Sequence, residues 1–180
     1  MSTALIVIDM LNRYEHEDAE PLMRSAREAV PNIRELLRAA HEAEVPVVYV
    51  NDNHGDWAAG RAELTAWARE GSGPELVDPI APGEETPLLV KARHSAFYAT
   101  QLEYLMHERE ARRLILTGQV TEQCILYTAL DAYVRHFDVV VPRDAVAHIH
   151  DDLADAALRM MERNMRATVT TTADLLADLR

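Results

Sequence analysis

The stretch "RRLILTGQVTEQCILYTALDAYVRHFDVVVP", residues 112–142, decides the fold. Two short apolar runs, "RRLILTG" (112–118) and "FDVVVP" (137–142), bracket a segment, 122–136, whose apolar residues recur at helical spacing. A nearly continuous apolar run of this length reads as a strand buried on both faces. Strand, helix, strand in succession predicts two parallel strands joined by a right-handed crossover.

The same alternation runs outward in both directions. Further strands are expected at "TALIVID" (3–9), "VPVVYVND" (45–52), "PLLVK" (87–91) and "RATVTT" (166–171). Helical periodicity covers 19–43, 60–70, 97–109, 151–164 and 172–179, the last two opening on Asp151 and Thr172 as caps. The fold class is therefore α/β: a three-layer α/β/α sandwich around a mainly parallel, Rossmann-like six-stranded sheet, with residues 1–180 forming one domain. The irregular stretch 70–87 is the one long connection, and long loops in compact domains often carry function.

Composition narrows the function. Thirty acidic against eighteen basic residues give a net charge of -12. Such a surface repels phosphate backbones and anionic membranes, so neither nucleic acid nor a membrane is an expected partner. One cysteine rules out an intramolecular disulfide framework. The apolar start "MSTALIVIDM" lacks a basic n-region and ends at Asp9, so it is neither signal peptide nor membrane span. A cytoplasmic location is expected.

Ligands of such sheets gather at the carboxyl ends of the strands. Asp9, Asn51, Asp52, Lys91, Gly118 onward, and Pro142 to Asp144 lie there. Asp9 follows an apolar strand, so its carboxylate is either a turn or cap residue or a functional group. Lys91 either reaches solvent or pairs with an acid. Cys124 is either an inert buried thiol or a nucleophile near a helix start, whose partial positive charge lowers a thiol pKa from about 8.5. If the strands are neighbours, the three side chains converge as base, cation and nucleophile.

On these residues the chain resembles the isochorismatase-like cysteine hydrolase superfamily. That superfamily includes nicotinamidases, N-carbamoylsarcosine amidases, ureidoacrylate amidohydrolases and streptothricin hydrolases. The matching pieces are "ALIVIDM", "LLVKARHSAF" and "LILTGQVTEQCILYTALDAYVRHFDVVVPRDAVA", in the same order and spacing. The resemblance implies a catalytic triad of Asp9, Lys91 and Cys124. It also implies a cis peptide at Gln119-Val120 that turns the Val120 N–H toward the substrate. With the Cys124 N–H it would form an oxyanion hole. Gln119 and Val120 depart from the small apolar residues usual at those positions, and the β-branched Val120, larger than alanine, predicts a narrower pocket floor.

The implied activity is a cysteine-dependent amidohydrolase cleaving a small amide, carbamoyl or lactam-like substrate through a thioester. Alternatives are a vinyl-ether hydrolase of the isochorismate type, which needs Asp9 and Lys91 but no cysteine, and a non-catalytic binding scaffold. No cofactor is expected. Asp52 and His54 resemble the beginning of a nicotinamidase metal site, but no histidine follows before His94, and no metal is expected. Asn12, Trp57, Phe97 and Tyr127 are the candidate pocket residues. His148 and His150 are read as a loop with a helix cap. The superfamily habit predicts a homo-oligomer, a dimer or tetramer, with Tyr104, Leu105, Met106, Met160 and Met161 serving either the interface or the core.

Overall fold

A computed structural model describes residues 2–179. Its strands are β1 (Ser2–Ile8), β2 (Val47–Asp52), β3 (Leu88–Lys91), β4 (Ala111–Gln119), β5 (Asp138–Pro142), β6 (Val146–Ala147) and β7 (Thr168–Thr170). They form a parallel sheet in the order β3-β2-β1-β4-β5-β7, with β6 pairing the end of β4. The six expected strands are all present. The seventh, β6, is two residues long, too short to leave a periodic signal in sequence. It follows a turn closed by the Ala145 N–H on the Pro142 carbonyl at 2.9 Å, after which the chain resumes in the same direction beside the end of β4.

The central strands β1, β4 and β5 are largely apolar and buried because helices cover both faces. Along β1, Ala4, Ile6 and Ile8 enter one core with residues of α4 (Leu102–Glu108), α5 (Leu126–Val134) and α6 (Asp151–Met165). Leu5 and Val7 enter the opposite core with α1 (Ala19–Glu42) and α7 (Thr172–Asp178). A third, small cluster joins Leu11 to Leu64, Ala68 and Val77 of α2 (Arg61–Arg69) and α3 (Pro74–Val77). It packs the segment after β1 against the connection between β2 and β3. Among the described residues, no helix is long and apolar enough to cross a membrane.

Three local expectations are corrected. The helix expected at 97–109 begins only at Leu102, because Ala99 is left-handed (φ 55) and Thr100 turns its hydroxyl onto the Ala96 carbonyl at 2.6 Å. The stretch 70–87 is less irregular than its composition suggests, since it holds α3 and a 3-10 turn, Asp78–Ile80. The caps sit one residue earlier than expected, at His150 for α6 and Thr171 for α7, where the Thr171 hydroxyl accepts from the Asp174 N–H.

The sheet centre depends on one glycine. Gly118 has φ +110, and a Cβ there would lie 2.1 Å from the Ile8 carbonyl oxygen. A side chain is thus opposed both by backbone conformation and by β1 itself. Gly118→Ala is expected to destabilise the protein by about 3 kcal/mol or more, read as a lowered denaturant midpoint. A wild-type midpoint would contradict this close approach.

Candidate active site

Three segments deliver the three candidate side chains. Asp9 follows β1 directly, with φ 55 in the left-handed region, which aspartate tolerates better than most residues. That turn swings its carboxylate over the sheet edge, where Oδ1 accepts the Asp52 N–H at 2.7 Å. Lys91 ends β3, which is not a neighbour of β1, since β2 lies between them. The three strands are thus not all neighbours, and reach explains the meeting. Only a long side chain crosses one intervening strand, and strands lie about 4.8 Å apart.

The Lys91 Nζ stands 2.7 Å from Asp9 Oδ2, 3.6 Å from Cys124 Sγ and 3.7 Å from Asp52 Oδ2. All three candidates are nearly shut off from solvent: Asp9 and Cys124 are each 8% exposed and Lys91 2%. Burial alone would lower the Lys91 pKa. The charge and hydrogen bond of Asp9, with the charge of Asp52, oppose this, and the ammonium is held above its ordinary value.

Cys124 sits in a π-helical turn, Thr121–Ile125, that runs into α5. Its thiol is pushed up from the ordinary value, first by burial and then by the Asp9 charge, with Lys91 opposing. This corrects the expectation of a helix start lowering it. A low-dielectric surround penalises a lone thiolate more than one partial charge favours it. The thiol is thus protonated at neutral pH, with a carboxylate and an ammonium at hand.

The peptide bond between Gln119 and Val120 is cis. The Gln119 side chain lies inside the fold. It donates from Nε2 to the Asp9 carbonyl at 2.8 Å, and accepts from the Tyr14 hydroxyl at 3.2 Å. Tyr14 itself is buried deeply enough to raise its pKa to about 12.

The pocket residues divide. Asn12, three residues after Asp9, lines a cleft of ≈ 300 Å³ with Arg13, Glu15, His16, His54 and Trp67. Its Oδ1 also accepts the Tyr14 N–H at 2.6 Å. Tyr127 is half-exposed on α5, its ring 5.4 Å from that of His94 in the loop after Lys91. Phe97 is corrected to a core residue, stacked on Phe137 at 5.7 Å beneath the Arg135 guanidinium. Trp57 is corrected too. It is 83% exposed, because the tight turn at Asn53–Asp56 carries it outward.

The tryptophan that lines the cleft with Asn12 is Trp67, which sequence reasoning missed. It stacks on His54 at 4.4 Å and lies under Arg13 at 5.7 Å. The available signal was its helical spacing from Leu64, which buries one edge and leaves the other facing the loop from Asn12 to His16.

Asp52 and His54 do not fit a metal. Asp52 Oδ1 accepts the His54 N–H at 2.8 Å, while Oδ2 faces Lys91. His54 Nε2 lies 3.0 Å from the Leu11 carbonyl, a contact in which it donates. Among the described residues, no group of three or more His, Cys, Asp or Glu is placed to hold an ion.

Comparison with known proteins agrees with this architecture. An uncharacterized isochorismatase family protein, YaaI of Bacillus subtilis (strain 168), is 34% identical over 173 residues, 96% of each chain. The ureidoacrylate amidohydrolase RutB of Enterobacter sp. (strain 638) is 29% identical, covering 96% of this chain and 86% of its own. The solved N-carbamoylsarcosine amidase from Thermoplasma acidophilum superposes with a TM-score of 0.72 at 27% identity, over 96% of this chain and 97% of its own. The isochorismatase domain model matches residues 3–174, nearly the full length, and the chain belongs to the isochorismatase family.

Proposed function

We propose that the protein is a cysteine-dependent amidohydrolase that cleaves a C–N bond of a small amide, carbamoyl or lactam-like substrate through a thioester. The observation that carries this reading is the contact of one buried ammonium with both a carboxylate and the only thiol, at 2.7 and 3.6 Å. Similarity to a ureidoacrylate amidohydrolase and an N-carbamoylsarcosine amidase supports the same class.

Asp9 takes the thiol proton as Cys124 Sγ attacks the substrate carbonyl carbon. The carbonyl π pair becomes an oxyanion, held by the N–H groups of Val120 and Cys124. As the oxyanion collapses, the C–N bond breaks and Asp9 returns its proton to the leaving nitrogen. Asp9 then removes a proton from water, whose oxygen attacks the thioester carbonyl. The acid departs, and the proton passes back to the sulfur. Lys91 pairs with the Asp9 carboxylate at 2.7 Å and offsets the charge of the thiolate at 3.6 Å. The cleft from Asn12 to Trp67 and the Tyr127–His94 pair flank the substrate.

Intact-mass spectrometry tests the covalent step. Wild-type protein, quenched in acid during turnover of a carboxamide, a carbamoyl amino acid or a ureido acid, is expected to carry an acyl adduct that maps to Cys124. Turnover of any of these with no adduct, even in rapid-quench samples, would sink the thioester.

The same reading takes the protein as a homo-oligomer. Tyr104, Tyr127, Leu130, Val134 and Met160 are exposed apolar side chains that support a subunit contact, whereas Met106 and Met161 belong to the core.

A further inference from the structure

One buried polar side chain next to the reacting groups has no part in the steps above. Gln119 closes β4 and is 1% exposed. A hydrocarbon of similar length would fill the same space, so packing does not account for an amide here. Its two hydrogen bonds do. The Nε2 donates to the main-chain carbonyl of Asp9, the residue whose backbone is left-handed. The Oε1 accepts from Tyr14, whose position is fixed independently: its N–H is held by Asn12, and a Cβ on Gly73 would lie 2.8 Å from its ring. The amide thus has one end anchored in the loop after β1 and the other on the carbonyl of the base. Its own backbone leads directly into Val120.

We propose that Gln119 is a positioning residue that fixes the main chain of Asp9 relative to Cys124 and the Val120 N–H. This rests on the reading of Asp9 as the base. A single side chain then couples the group that moves the proton to the group that holds the oxyanion. The Asp9 N–H is still held by the Val50 carbonyl of β2 at 3.0 Å, but the Asp9 carbonyl lies past the last β1–β4 pair, Ile8 with Gly118, and Gln119 supplies its partner. The turn that aims the carboxylate also takes its carbonyl out of the sheet.

The test reads the thiol without any substrate. Iodoacetamide alkylation of Cys124 is followed by intact mass across pH in wild type, Gln119→Leu, Asp9→Asn and the double variant, each checked by thermal melting. The charged groups facing the sulfur are Asp9 and Lys91, with Asp52 behind Lys91. Loosening Asp9 weakens its hold on the thiol proton. The profile of Gln119→Leu is therefore expected to move to lower pH by about one unit, with cooperative melting retained. Asp9→Asn is expected to move it at least as far, and the double variant no further.

A wild-type profile in folded Gln119→Leu, or additive shifts in the double variant, would overturn the positioning role. If Asp9→Asn leaves the profile unmoved, the reading of Asp9 fails first and the tether with it. If neither Gln119→Leu nor Gln119→Met folds, Gln119 is a structural residue and the proposal is likewise wrong.

Discussion

Cys124→Ala is expected to lose turnover of every amide the wild type accepts by a factor of about 10⁴ or more, with the fold retained. The size follows from what is removed. Without sulfur there is no covalent intermediate, and water must attack an unactivated amide while the oxyanion donors remain. Removing a single buried sulfur costs stability on the order of 1 kcal/mol, so loss of activity is separable from loss of structure by melting. Cys124→Ser should be nearly as inactive, because a buried hydroxyl ionises far less readily than a thiol. The measurement is amine or ammonia release under saturating substrate. It also discriminates between reactions: hydrolysis of a vinyl ether needs Asp9 and Lys91 alone, so isochorismate turnover that survives Cys124→Ala would replace the amidase reading with that one.

The parts of the molecule legible in sequence are those with a repeating physical cause. β1, β4 and β5 are buried on both faces, and continuous apolar character announces them. The long helix α1 exposes one face, and its periodicity gives its start and end to within a residue. Asp9, Lys91 and Cys124 were visible because each breaks an apolar strand or follows one closely. What sequence hid depends on single backbone torsions and on reach across the fold. The left-handed Ala99 cuts α4 short, and the turn at Asn53 sends Trp57 to solvent while Trp67 takes the place beside His54. The role of Gln119 was equally hidden, since both its partners lie more than a hundred residues away in the chain. The thiol's upward shift is hidden from sequence for a related reason. A helix start is a local feature, whereas burial and the Asp9 charge arrive only with the tertiary structure.

Asp9→Asn is expected to separate thiol reactivity from catalysis in opposite directions. Asparagine keeps the shape and retains an oxygen for the Asp52 N–H, so the turn after β1 is preserved. It removes one negative charge from beside the sulfur. In wild type that charge, after burial, is what holds the thiol protonated, and Lys91 is largely spent on Asp9 at 2.7 Å. With the carboxylate gone, the ammonium faces the sulfur and the more distant Asp52. The sign is then fixed: loss of a raising influence and release of a lowering one both bring the thiol pKa down, so more thiolate exists at neutral pH. Alkylation by iodoacetamide at pH 7.5 should accelerate by about tenfold. Turnover should nevertheless fall by about 10³-fold or more, because no group remains to protonate the leaving nitrogen or to activate water. The resting thiolate cannot substitute for a proton carrier that acts twice per cycle. Paired measurements on one preparation decide the matter. Slower alkylation together with lost turnover would mean that Asp9 only supports the fold, and retained turnover would remove it as the base.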